Sequence, residues 1–463
     1  LIIYSVQKEK EMNRGVLKTF SFFMLLVLLL TACGSAATPT AAPATEAPAT
    51  AVPATAVQPT AAPKQVTIEW WHISTLDPGK TLWQNLANQY MAAHPNVTIH
   101  ITILENEAFK TKLTSVMQGG TPPDIFQSWG GGVMNDQIAA GMLQDITPEL
   151  DANGGAWRAT FAPGALAVYA QNGKNYGVPW DMGMVGWWYN KDLFTKAGIT
   201  SVPTTWDDFL ADVKTLKAAG ITPISLGEKD TWTGMHIWSY LATRICGQAK
   251  FLAAANRSGG SFDDPCFVQA GTDLKQLIDL QPFQSGFLGM SHDQMQGTFG
   301  NGKAAMELSG QWAPGSEAGQ AADKKGVANL GLFNFPAVAG GAGDVTDVMG
   351  GGNGFAIGKN APPEAVDFVK FLTSLDSAKQ IASTNTGIPP IVGADAGLTD
   401  PNMVAVQKAF TAAKYFQLYY DQYMPSAMGG VINDAVAKLY AGTETPDQVA
   451  KEIEAGAVQT FGK

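Results

Sequence analysis

Apolar and polar positions alternate over residues 66–73, Val66-Thr67-Ile68-Glu69-Trp70-Trp71-His72-Ile73, which predicts a half-buried strand. Leu82, Leu86, Tyr90 and Met91 then recur at helical spacing until His94-Pro95 ends the run, and residues 97–103 alternate again. Residues 109–117 read as a helix, Gly119-Gly120-Thr121-Pro122-Pro123 as a loop, and 124–129 as a short buried strand. Strand and helix repeat in this way through 178–181, 183–189, a helix over 207–219 entered at Thr205 or Trp206, and a helix around 238–244. Strands follow at 304–308 and 354–357, with an amphipathic helix at 365–375 and a mainly helical final hundred residues. Such alternation predicts an α/β fold with a mostly parallel sheet covered by helices, and ligands at the carboxyl ends of its strands. No internal repeat, coiled coil or membrane span is visible after position 33.

The first sixty residues follow different rules. Residues 1–11 precede Met12 and match no pattern, so Met12 is the expected start. Arg14 and Lys18 lead into an apolar run at 20–30 that covers only about 16 Å as a helix, against roughly 30 Å of membrane hydrocarbon. It therefore reads as a signal segment over 1–32. Leu30-Thr31-Ala32-Cys33-Gly34 resembles the lipidation motif of bacterial lipoproteins, with Cys33 as the lipid-bearing residue; an ordinary secretory signal is the alternative. Residues 34–63 hold twelve Ala, six Thr, six Pro and one charge, the composition of a semi-extended spacer. The folded body is thus expected outside the membrane, held by a lipid anchor alone.

Composition narrows the function. Of 463 residues, 46% are hydrophobic and 15% charged, far too apolar for a disordered chain. A net charge of −10 with no Lys/Arg run argues against nucleic acid and anionic lipid surfaces. Cys246 and Cys266 lie twenty apart; an oxidising compartment favours a disulfide between them, and two buried free thiols are the alternative. The sequence has no HExxH, GxSxG or GxGxxG, and its five histidines lack metal-ligand spacing. Gly297-Thr298-Phe299-Gly300-Asn301-Gly302-Lys303 mimics a phosphate loop, but Ala304 stands where a Mg²⁺-binding hydroxyl is needed, so the run reads as a turn into the next strand. No cofactor, metal or catalytic residue is expected. Glu107, Asp181 and Glu228 at predicted strand ends leave a secreted glycosidase as an alternative, because that chemistry needs paired carboxylates.

What remains is aromatic residues beside hydrogen-bonding ones at predicted strand ends: Trp71-His72, Gln127-Ser128-Trp129, Trp180-Asp181, Glu228 with Trp232, and Gln311-Trp312. Indole faces stack on the C–H faces of a sugar ring while its hydroxyls take the polar groups. Trp83, Trp187, Trp188 and Trp206 read as core.

Stretches 66–73, 120–125, 176–181, 188–194, 203–209, 302–306, 351–357 and 387–390 together resemble the family-1 extracellular solute-binding proteins of ABC importers, the group that includes the maltose-binding protein. The resemblance implies a periplasmic-binding-protein-like fold of two discontinuous α/β lobes, 64–181 plus 354–398 and 182–353 plus 399–463, with a hinge and an interlobe cleft. The chain would cross between lobes at 180–185, 350–354 and 398–402, with Gly350, Gly351 and Gly352 suited to a hinge. Carried over by position, His72, Glu107 and Trp129 would contact ligand from the first lobe, Asp181, Gly352 and Asn353 from the crossings, and Glu228, Trp232, Trp312 and Tyr423 from the second. A neutral sugar or oligosaccharide is the expected ligand, because Glu107, Asp181 and Glu228 would repel an anion and no Arg is among the candidates. A polyol or glycerophospho compound is the nearest variant. The expected partners are the importer's permease subunits, and the expected state is a monomer.

Overall fold

The computed structural model describes residues 64–462; the signal segment, Cys33 and the 33–63 spacer lie outside the described residues. Besides a two-stranded ribbon of Ala170–Gln171 and Lys174–Asn175, nine strands of the described residues form the two main sheets: β1 (Val66–His72), β2 (Val97–Ile103), β3 (Ile125–Ser128), β4 (Gly177–Met184), β5 (Gly186–Asn190), β6 (Met306–Ser309), β7 (Leu330–Phe333), β8 (Val348–Ile357) and β9 (Phe416–Leu418). Local chemistry sets the helix limits. Thr205 caps helix Trp206–Ala218 by accepting from Asp208 N, with Asp207 and Asp208 in its positive first turn. In helix Gly79–Ala93, Leu82, Trp83, Leu86, Ala87 and Tyr90 form the buried stripe, and the helix ends at His94.

The larger sheet runs β9-β8-β3-β1-β2, with β4 along the other edge of β8. β1 lies parallel to β2 and β3, and β8 is parallel to β9 but antiparallel to β3 and β4. The smaller sheet, β6-β5-β7, is wholly antiparallel. The expectation of a mostly parallel sheet therefore holds for β2-β1-β3 and for β8-β9, whereas β8 runs antiparallel to both β3 and β4. The final hundred residues contain β9, too short for periodicity to reveal. Of the run expected to turn into the next strand, Gly297 to Gly300 end helix His292–Gly300, and only Asn301 and Gly302 form the turn that leads toward β6.

Two large cores result. One gathers Ile68, Trp70, Trp83, Phe355 and Phe368; the other gathers Trp187, Trp206, Trp238, Ile432 and Ile453. A smaller cluster containing Met184, Trp188, Val348, Ile388 and Met403 lies at the strand passages. Trp83, Trp187, Trp188 and Trp206 are all buried. Cys246 and Cys266 form a disulfide, Cα–Cα 5.2 Å, joining helices Trp232–Ala255 and Pro265–Asp279.

Gly350, Gly351 and Gly352 sit in extended strand, and positive φ is not what they supply. They permit close approach: a Cβ on Gly350 would stand 2.1 Å from the Gly183 carbonyl oxygen, and one on Gly352 would stand 2.6 Å from that of Asp181.

Candidate functional site

Where the two halves meet, a cavity of about 210 Å³ is lined from both sides, far beyond the roughly 15 Å³ that one water requires. Trp129 and Trp180 reach it from the first half, Trp232 and Trp312 from the second, and Asn353 from β8. The second-half wall is a continuous ring system. Trp232 lies 5.2 Å from His236, 4.8 Å from His292 and 6.5 Å from Trp312, while Tyr419 lies 5.1 Å from His236 and 6.5 Å from Trp312.

Local structure aims these groups. Between Asn353 and Gly354 the β4–β8 register slips, so that Asp181 opposes Asn353 and Pro179 opposes Gly354, with Trp180 left between them. This bulge interrupts strict alternation and leaves Trp180 outside the paired register. Trp180 lines the cavity. Asp181 is fully buried, with Oδ2 accepting from Gln311 Nε2 and Asn353 Nδ2, both at 2.7 Å, and Oδ1 accepting from Ile388 N at 2.6 Å. Burial raises its pKa to about 6 against the lowering effect of these donors. Asn353 Oδ1 in turn accepts from Gln127 Nε2 at 2.7 Å. Asp181 thus positions the amide that faces the cavity.

Of the residues expected at the ligand, Trp129, Trp232, Trp312 and Asn353 line this cavity, and His72, Glu107, Asp181, Glu228, Gly352 and Tyr423 do not. His72 ends β1 with its side chain turned into the core, and its Nδ1 accepts from Ser74 N at 3.2 Å. Burial lowers its pKa to about 4, so it is neutral and shapes the 74–79 loop instead. Glu107 pairs with Lys110 at 2.8 Å, and it is Lys110 that reaches the cavity, 5.6 Å from the Trp129 ring centroid. Glu228 is buried against Gly234, where desolvation holds its carboxyl well above the usual range. Gly352 is covered by Met182 and the Asp181 backbone. Tyr423 points away, its ring 5.1 Å from Phe251, and Tyr419 occupies the cavity wall in its place.

His236, His292, Tyr419 and Asp421 also line the cavity and are not singled out by the sequence, and of the pair Trp180-Asp181 that it does single out, Trp180 is the one that lines the cavity. His236 lies four residues after Trp232 on one helix, the spacing that puts side chains on one face. Tyr419 directly follows β9, a strand-end position visible only once that strand is recognised.

Several polar atoms of lining residues have no hydrogen-bond partner among the described residues: Trp180 Nε1, Trp232 Nε1, His236 Nδ1, His292 Nε2, Tyr419 OH and Gln422 Oε1. Buried polar groups are normally paired; other unpaired atoms lie elsewhere in the body, and these leave hydrogen-bonding capacity on residues that line a cavity. Burial keeps His236 neutral, its pKa lowered to about 3. Among the described residues, no group of three or more His, Cys, Asp or Glu is arranged to hold a metal ion.

The bacterial extracellular solute-binding protein model matches residues 73–379. The chain belongs to that family. Among solved structures, this solute-binding protein resembles one described in a study of xylan utilization by Caldanaerobius polysaccharolyticus, at 30% identity and TM-score 0.78 over 84% of this chain and 99% of that one. It also resembles a chitin oligosaccharide binding protein, at 27% identity and TM-score 0.78 over 86% of this chain and 100% of that one. The multiple sugar-binding protein of Streptococcus mutans is 26% identical over 333 residues, 68% of this chain and 76% of its own. A solute-binding protein captures its ligand without converting it, which sets aside the glycosidase alternative, and the family works outside the cytoplasm.

Proposed function

We propose that this protein is the carbohydrate receptor of an ABC importer, tethered through a lipid on Cys33, that hands its ligand to the permease subunits as a monomer. The observation that carries the reading is a cavity lined by indoles from both halves together with residues that hold unpartnered donors and acceptors. A sugar ring has that same alternation of apolar faces and hydroxyl edges. The names of the relatives, which include receptors for multiple sugars and chitin oligosaccharide, support the same class.

The saccharide unit held in this cavity is uncharged. Asp77, Glu105, Asp293 and Asp421 line it against Lys110, a balance that accepts hydroxyl donors and repels an anion such as a glycerophospho compound. Closure would bring 64–181 plus 354–398 against 182–353 plus 399–463 by bending at the β4–β8 passage. Calorimetric titration against a panel of neutral mono- and oligosaccharides tests the assignment. Saturable binding with the sugar recovered unchanged is expected, and failure of every saccharide to bind would overturn it.

A further inference from the structure

A second cavity, of about 1010 Å³, shares Thr75, Leu76, Asp77, Pro78, Gly315 and Asn385 with the first, so a ligand longer than one cavity has a neighbouring space to enter. Its chemistry is different. Among the described residues no aromatic side chain lines it, and Lys80, Lys191, Lys324 and Lys325 do. The lysine ion pairs of the described residues involve other lysines, although Lys324 Nζ donates to Gly319 O at 2.6 Å. Lys80 and Lys191 also stand in the first turns of helices Gly79–Ala93 and Lys191–Ala197, where the backbone dipoles disfavour a cation.

Two aspartates, Asp77 and Asp400, offset those four charges only in part. Asp77 Oδ1 accepts from Thr81 N, and Asp400 Oδ1 accepts from Asn402 N and Met403 N, which fixes both carboxylates at helix starts without removing their charge and leaves the lysines in excess. Glu317 is buried, and desolvation, with the charge of Asp400 second, pushes its carboxyl up to about 9, which leaves it a neutral group. Asn385, at the shared wall, has its side-chain oxygen unpartnered. The first cavity is aromatic and acidic and its neighbour is basic.

We propose that the second cavity receives an anionic, carboxylate-bearing sugar unit linked to the neutral unit stacked in the first, so that the ligand class is an acidic oligosaccharide. This rests on the carbohydrate reading above and adds the charge and extent of the ligand.

The test uses matched pairs: neutral oligosaccharides of xylose, glucose and N-acetylglucosamine, each beside its counterpart carrying a uronic acid, titrated by calorimetry. In at least one pair the acidic member is expected to bind about tenfold more tightly, the gain of one charge-assisted hydrogen bond, and added salt should erode that margin. The double variant Lys191→Ala/Lys325→Ala should remove the preference while neutral binding and melting temperature stay unchanged, and Lys196→Ala, away from both cavities, should keep it. The proposal is overturned if no acidic member binds more tightly than its neutral counterpart, or if the double variant keeps the preference. Neutral binding without acidic preference removes this inference alone; failure of every saccharide removes the carbohydrate reading and this one with it.

Discussion

Asn353 and Asp181 face each other across the bulged pair β4 and β8, Asn353 Nδ2 donating to Asp181 Oδ2 over 2.7 Å. The same carboxylate takes donors from Gln311 and from the Ile388 backbone, so three separate chain segments converge on one buried acid. Replacing Asp181 with Ala strands those donors and should cost about 3 kcal/mol, the sum of the unmet groups at roughly 1 kcal/mol each. Urea unfolding measures this, and a loss below about 1 kcal/mol would mean that the three donors find other partners.

Two tryptophans separate recognition from folding. Trp312 is half-buried in the cavity wall, whereas Trp188 is fully buried with Nε1 donating to Ser309 O at 3.0 Å. Trp312→Ala should weaken saccharide binding by about 2 kcal/mol, roughly thirtyfold in Kd, with little change in Tm. Trp188→Ala should cost about 3–5 kcal/mol of stability. Titration and thermal unfolding on both variants would show the contrast, and an unaltered Kd in the Trp312 variant would remove that ring from the site.

Gly350 tests the close approach of the crossing strands. Its Ala variant must move a backbone carbonyl, that of Gly183, from 2.1 Å, and overpacking of this kind costs about 1–3 kcal/mol. Denaturant midpoints should fall accordingly. A neutral result would show that β4 and β8 separate freely at this point.

The buried Glu317 supplies a pH dependence of defined sign. Its folded pKa is raised from 4.5 to about 9 by desolvation and Asp400, so the folded state holds a proton that the unfolded chain releases. Stability from this group is fully present below pH 4.5 and is lost as pH rises toward 9. Glu317→Gln should flatten the Tm profile across that window and raise Tm at pH 8 relative to the parent chain. A variant that melts lower at pH 8 would contradict the assignment.

Much of this geometry was readable from residue order because strand and helix periods carry it. β1, β2 and helix Trp206–Ala218 fall within a residue or so of where alternation and capping put them. Trp129 and Trp312 stand immediately beyond or near strand ends, where the chain leaves the sheet, and both reach the cavity. Side-chain direction was harder to read. His72 is the last residue of β1 and keeps the inward phase of Ile68 and Trp70. Trp180 and Asp181 are divided by a bulge whose position depends on the partner strand, 172 residues away for Asp181 and Asn353. Tyr419 follows a three-residue strand, too short to show a period of two.

Ten-residue β8 hydrogen-bonds to β3, β4 and β9 at once. Heat or denaturant cannot detach one neighbour without loosening the backbone that the others share. A change in β8 is therefore felt by all three neighbouring strands at once.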